Sequence, residues 1–211
     1  NGICLAELDE IGRDDKAREN QRSMWGWPKD TNVFVVGTAC RFTWEKGIDL
    51  LLLAASQAVQ AEPSLRFIII GDGPLAGELK ESAKTLGLDN YLHFLGFCDN
   101  ARNLFPALDA FVLSSRTEGW PLSIMEAMLL GLPVIAPKLG GVPQMIRPGK
   151  TGILIEPEDV NGLTEALVYL ARNRHRASQL GEAARVYARE NFDAEDMISK
   201  VETVYQEVLL G

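Results

Sequence analysis

The chain has 211 residues, 46% of them apolar and 24% charged, a balance that suits one well-packed domain and argues against disorder. Its formal charge of −8 would repel a long polyanion, so nucleic acid is excluded as a partner in favour of small ligands held by locally converging cations. Three widely spaced cysteines (Cys4, Cys40, Cys98) with no CxxC exclude a disulfide scaffold or cysteine zinc site and fit a reducing, cytoplasmic setting.

Position 1 is asparagine and the first methionine is Met24, so the sequence is expected to be a piece cut from a longer protein. Residues 1–30 are expected to form an interdomain linker and a polar lead-in helix over roughly 14–24, ahead of one domain at 31–211. Trp25 and Trp27 read as packing anchors, or as remnants of a surface that faced another domain. Short strands are predicted at 32–38 (NVFVVGT), 65–70 (LRFIII), 91–95 (YLHFL), 109–113 (DAFVL), 132–136 (LPVIA) and 152–155 (GILI). Their nearly continuous hydrophobicity is that of strands covered on both faces. Between them run helical faces: Ile48, Leu51, Leu52, Ala55 and Val59, then Val160, Leu163, Leu167 and Leu170. Pro157 marks the loop before the second of these. A last amphipathic run over 197–210 carries Met197, Val201, Val204 and Val208, with Asp193 and Asp196 before it as candidate caps. Six strand–helix alternations without a hairpin signal predict an α/β fold: a Rossmann-like, doubly wound parallel sheet with helices on both faces. The apolar runs 48–55 and 128–137 fall short of the ~20 residues that a membrane helix needs.

In such sheets ligands bind beyond the carboxyl ends of the strands. The first strand leads into Arg41 and Lys46, two cations five positions apart that can clamp a diphosphate, although a solvated loop has the same spacing. The second leads into Gly71, Gly73 and Gly77, a G-x-G-x-x-x-G that invites an NAD(P) reading. That match is weak, because the next strand runs into Gly96 and Phe97 rather than an acidic ribose ligand. The fourth leads into Glu118-Gly119-Trp120-Pro121-Leu122, with Glu126 further on. Pro121 marks a helix start and Gly119 permits close backbone approach before it. Free amides of Trp120, Leu122 and Ser123 at the positive end of that helix can hold phosphate oxygens. Glu118 and Glu126, in E-x7-E spacing around this entry, offer acceptors for hydroxyls on either side, while a dipole stabiliser and a helix-face acid are their plainer readings. Gly140 and Gly141 after the fifth strand allow a ligand to lie against bare backbone, or form an ordinary loop.

Taken together, these residues resemble the carboxyl-terminal, donor-binding half of the GT-B glycosyltransferases of family 4, the group 1 glycosyl transferases. The likeness runs over about 31–209, and Asn1-Gly2-Ile3 is similar to the family's interdomain linker. The matching motifs are R-x4-K-G from Arg41, GDGP from Gly71, HFLGF from His93, SRTEGWPLSIMEAM from Ser115, GGVPQ from Gly140 and GKTGILIEPED from Gly149. The resemblance implies that Arg41 and Lys46 bind the donor diphosphate and stabilise charge on the departing nucleotide. It further implies that Glu118 contacts the transferred sugar, that Glu126 holds the ribose, and that backbone at Gly119, Trp120, Pro121 and Leu122 binds phosphates. Backbone near Phe97 would border the base. Such enzymes retain anomeric configuration, use a UDP- or GDP-sugar without cofactor or essential metal, and build polysaccharides, glycolipids and lipopolysaccharide cores. The sequence has no D-x-D; Glu156-Pro157-Glu158-Asp159 comes nearest and reads as a helix start. Cys40 stands where glycine usually precedes the arginine, and Gln144 where glutamate is frequent. The acceptor site belongs to an amino-terminal half not present here, so the fragment is expected to bind donor and transfer little alone. An NAD(P)-binding oxidoreductase domain and a non-catalytic nucleotide-sugar-binding module are the competing readings.

His93 reads as a packed or edge histidine within its strand. His175, among Arg172, Arg174 and Arg176, reads as part of a solvated helix junction, with peripheral contact to an anionic membrane as the alternative.

Overall fold

A computed structural model describes residues 14–27 and 32–194, together with positions 3, 5, 8, 11, 198, 199, 202, 205 and 206. The run 197–210, apart from those single positions, and the cap expected at Asp196 lie outside the described residues. Among the continuously described residues a polar helix α1 (Asp15–Met24) comes first, its N-terminus capped by the Asp14 carboxylate accepting the Lys16 amide. Strand β1 (Phe34–Ala39) and a 3₁₀ turn at Trp44–Lys46 lead to helix α2 (Ile48–Ala61). Then come β2 (Leu65–Ile70), α3 (Ala76–Thr85), β3 (Leu92–Gly96), a 3₁₀ helix (Ala101–Ala107) and β4 (Ala110–Val112). Helix α4 (Leu122–Leu129), β5 (Val134–Pro137), the single turn α5 (Val142–Met145), β6 (Gly152–Ile155), α6 (Val160–Arg172) and α7 (Arg174–Asn191) follow.

The six strands form one parallel sheet in the order β3-β2-β1-β4-β5-β6. The chain starts mid-sheet, winds outward one way and returns to wind the other, which opens a crevice between β1 and β4 at their carboxyl ends. Two predicted strands have the observed limits and the other four shift by one or two residues; β1 begins at Phe34, two residues later than expected.

Period-two alternation splits the strands between two cores. Val35, Ile68, Ile70, Phe111 and Val134 face α4, the 3₁₀ helix at Ala101–Ala107 and the latter half of α7. Phe34, Val36, Phe67, Ile69, Val112 and Ile135 face α2, α3 and α6. Each fully buried aliphatic or aromatic side chain contributes about 1.5–3 kcal/mol, so two such cores dominate the fold's stability. Helix α6 is started by Asp159, whose carboxylate accepts the Gly162 amide at 2.9 Å, as the sequence suggested.

Helix α1 is docked rather than free. Asp109, just before β4, accepts from Arg18, from Arg22 at 2.8 Å and from the Val35 amide at 2.7 Å. Trp25 and Trp27 are buried, which makes them packing anchors. Trp27 stacks on His93 with ring centroids 4.7 Å apart, and His93 Nε2 donates to the Trp25 carbonyl at 2.9 Å, so His93 is a packed histidine. The arginines near His175 are stapled to backbone: Arg172 to Ala61, Arg174 to Asn32 and Arg176 to Gly149. Among the described residues no helix is long and apolar enough to cross a membrane.

Candidate functional site

At the carboxyl ends of the strands the predicted residues fall in three groups: Lys46 meets Glu118, Arg41 and Phe97 line a cavity, and Glu126 lies near Arg102. Lys46 closes the 3₁₀ turn after β1, and its ammonium donates to Glu118 Oε1 at 2.7 Å. Glu118 comes from the loop after β4, 72 residues later, and also accepts from Ser115 Oγ at 2.6 Å. Its side chain is 6% exposed, against 29% for Lys46, so the acid is set deep and the cation stands over it. The turn is placed by close packing. Gly47 has φ +59°, and a Cβ there would lie 2.1 Å from the Ser114 carbonyl oxygen, so only glycine lets the two loops meet. Ser114 Oγ donates to the Lys46 carbonyl at 3.2 Å.

Beyond this pair, the backbone of Gly119-Trp120-Pro121 enters α4, whose first residue is Leu122; the helix has no side-chain cap. A Cβ on Gly119 would meet nothing within 4 Å, so the backbone is open to approach there. Such an N-terminus presents unpaired amides and a positive dipole end to an anion. The Trp120 ring turns inward: Nε1 donates to the Met125 sulfur at 3.2 Å, and the ring meets Phe192 edge-on at 6.3 Å. Leu122 is 52% exposed.

Arg41, itself exposed, lines a cavity of about 440 Å³ with Cys40, Gly71, Asp72, Phe97 and Cys98. Phe97 is 74% exposed at its mouth. Cys40 joins this cavity to the ion pair. Burial pushes its thiol up to about 12, with Lys46 pulling it down and Glu118 pushing it up, so both charges are felt at the cavity wall.

Glu126 lies on α4, its Oε1 3.9 Å from Arg102 Nη1, and burial raises its pKa while Arg102 opposes the rise. Arg102 belongs to the 3₁₀ helix next to the cavity, and no sequence signal pointed to it. Arg116 was likewise read only as part of a motif. Its guanidinium donates to both Asp49 carboxylate oxygens, at 2.8 and 2.6 Å, and to the Trp44 carbonyl at 3.0 Å.

The glycine pairs are used differently from the expectation. Gly71 (φ +135°) is pressed against the Cys40 carbonyl, 1.8 Å from where a Cβ would stand, and Gly73 against the Phe42 backbone. They let the β2 loop lie on the β1 loop, and α3 starts only at Ala76, beyond Pro74. This spends the glycines on chain-to-chain contact, which removes the ground for a dinucleotide fingerprint. At Gly140 and Gly141 the space a Cβ would need is likewise taken by the backbone of Glu118 and Gly119 and by the Trp120 ring, while Gly140 itself stays exposed. Among the described residues no group of three or more His, Cys, Asp or Glu is placed to hold a metal ion.

The chain is similar to known proteins in sequence and in fold. The chain is 32% identical over 158 residues to the N-acetyl-alpha-D-glucosaminyl L-malate synthase of Bacillus anthracis, covering 75% of this chain and 42% of that protein. It is 29% identical over 220 residues to a GDP-mannose-dependent monoacylated alpha-(1-6)-phosphatidylinositol monomannoside mannosyltransferase of Corynebacterium glutamicum, covering 98% and 55%. Among solved structures, Anabaena Alr3699/HepE in complex with UDP superimposes with a TM-score of 0.88 at 26% identity, over 98% of this chain and 56% of that one. The chain thus spans about half the length of the relatives it matches. Residues 17–187, which begin inside α1 and hold all six strands, match the family model Glycosyl transferases group 1, and the chain belongs to that family.

Proposed function

We propose that this chain is the carboxyl-terminal, donor-binding half of a retaining GT-B glycosyltransferase of family 4, binding a nucleoside diphosphate sugar across the rim between β1 and β4. The observation that carries the reading is the Lys46–Glu118 pair, a cation and a deep-set acid 2.7 Å apart beside an uncapped helix N-terminus. Arg41 and Lys46 take the diphosphate. Lys46 has three donors, so it can keep Glu118 and still reach a phosphate oxygen. As the glycosidic bond to the nucleotide breaks, negative charge grows on the leaving diphosphate, and the two cations and the α4 amides oppose it from fixed positions. Glu118 contacts the sugar, Glu126 the ribose hydroxyls, and the backbone of Gly119, Trp120, Pro121 and Leu122 the phosphates. The base lies in the cavity at Phe97.

The acceptor site belongs to a separate amino-terminal half, so the chain alone binds donor and turns over little. The names of its relatives support a role in polysaccharide, glycolipid or lipopolysaccharide synthesis, as does the Rhizobium meliloti lipopolysaccharide core mannosyltransferase LpsB at 28% identity. The parent works in the cytoplasm, with peripheral contact to the inner face of the membrane. The donor binds without a metal ion.

Titration of UDP and GDP in EDTA, followed by tryptophan fluorescence and thermal stabilisation, tests this. Trp44 is 61% exposed beside Lys46 and should report the ligand. At least one nucleotide should saturate, with binding weakened by Lys46→Ala and uncompeted by NADH. No binding by either nucleotide, or displacement by NADH, would overturn the reading. In the full-length parent, Glu118→Ala should abolish transfer; retained transfer would leave the chain a binding module.

A further inference from the structure

We propose that Arg116 is a positioning residue that fixes Lys46 for the donor diphosphate; this rests on the donor-binding reading above. Arg116 lies in the loop after β4, two residues before Glu118, with a side chain only 9% exposed. Its three guanidinium nitrogens between them reach three separate segments, at Trp44, Asp49 and Glu158. Nη1 and Nη2 grip Asp49 in the first turn of α2, Nη1 also donates to the Trp44 carbonyl, and Nε donates to Glu158 Oε2 at 3.2 Å. Its backbone amide donates to the Glu45 carbonyl at 2.7 Å. The guanidinium carbon lies 5.0 Å from the Trp44 ring centroid, so the plane also covers that indole.

These contacts enclose the three-residue turn that carries Lys46. One side of the turn is held by the Arg116 amide on Glu45 and the other by its guanidinium on Trp44, while Asp49 ties both to α2. A planar fork makes this arrangement and a lysine point charge does not, because the bidentate bond to Asp49 and the bond to Trp44 leave in fixed directions. Glu158, at φ +59°, brings in the start of the α6 loop. Arg116 therefore sets the distance between the Lys46 backbone and the Glu118 loop from which it springs. Without the guanidinium the turn keeps its Ser114 and Arg116-amide bonds but loses its hold on Trp44 and α2, which shifts the ammonium, and misplacement of about 1 Å at a reacting centre can cost about 100-fold.

A double-mutant cycle on UDP affinity, measured by calorimetry on this chain, tests the proposal. Arg116→Gln should raise the UDP dissociation constant by roughly 10-fold, and Arg116→Lys should not rescue it. In a Lys46→Ala background the same Arg116→Gln change should cost less than about 2-fold, because its effect runs through the missing ammonium. Should Arg116→Gln fail to fold, Asp49→Asn, which cuts the fork from its more exposed end, takes its place in the cycle. Additive losses in the two backgrounds would show a merely structural role, and unchanged UDP affinity in a folded variant would show none; either overturns the proposal. If the unaltered chain binds neither UDP nor GDP, the donor-binding reading fails first and takes this proposal with it.

Discussion

The α-carbon of Gly140 rests on the carbonyl oxygen of Glu118: a Cβ there would lie 2.0 Å from it, with φ at +48°. The loop after β5 therefore acts as a backstop for the loop that carries the deep-set acid. Gly140→Ala combines a backbone clash with left-handed strain and should cost about 1–3 kcal/mol. It should also weaken UDP, because relief of the clash moves Glu118 and Gly119. Paired melting curves and titrations check this, and a variant equal to the parent in both would refute it.

Glu126→Gln should separate stability from binding. Burial raises the Glu126 pKa, so the charged form is disfavoured in the folded protein. The resulting penalty is absent below the unfolded value of about 4.3, grows as pH rises through the folded value, and is complete above it. At pH 7 the variant should melt higher than the parent, and near pH 4 the two should coincide. Its affinity for UDP should fall more than its affinity for pyrophosphate if the carboxylate holds the ribose. Equal losses for the two ligands would remove that role.

The strands were legible because residues such as Phe67, Ile68, Ile69 and Ile70 form an apolar run that needs cover on both sides, which a parallel sheet flanked by helices supplies. Their ends were less so, since hydrogen bonding rather than hydrophobicity decides that β1 extends to Ala39. The turn α5 has four residues, too few to show a period. Lys46 and Glu118 could be singled out by residue type and by their place after predicted strands. Their pairing could not, and neither could the grip of Arg116 on Asp49, 67 positions away, or the approach of Arg102 to Glu126. The glycines at 71, 73, 140 and 141 were visible as unusual positions, but whether chain or ligand fills the missing Cβ space depends on the tertiary contacts.

Cys40 should resist alkylation. With its thiol pushed up to about 12 by burial, the thiolate fraction at pH 8 is on the order of 10⁻⁴. Peptide mapping after iodoacetamide treatment of the native protein at pH 8 should find Cys40 unmodified, and after denaturation fully modified. Rapid labelling of native Cys40 would contradict the burial and charge arrangement around it.

His93→Ala should destabilise the protein without touching the rim. It removes a stacking partner of Trp27 and leaves the Trp25 carbonyl without its donor, for a loss of about 1–3 kcal/mol. UDP affinity, measured well below the melting temperature, should stay within about 2-fold of the parent. A large loss of affinity with little change in melting would instead give the histidine a role in the site.

Asp109 gathers Arg18, Arg22 and the Val35 amide on one carboxylate, and so welds the opening helix to the sheet's opposite pole. Anyone trimming the gene to begin at the first strand would cut that weld. The shortened product would retain a half-covered carboxylate stripped of both guanidiniums, and a β3 flank from which two indoles had been peeled away. Clones drawn that tightly should yield inclusion bodies, and the remedy is upstream sequence, not milder growth conditions.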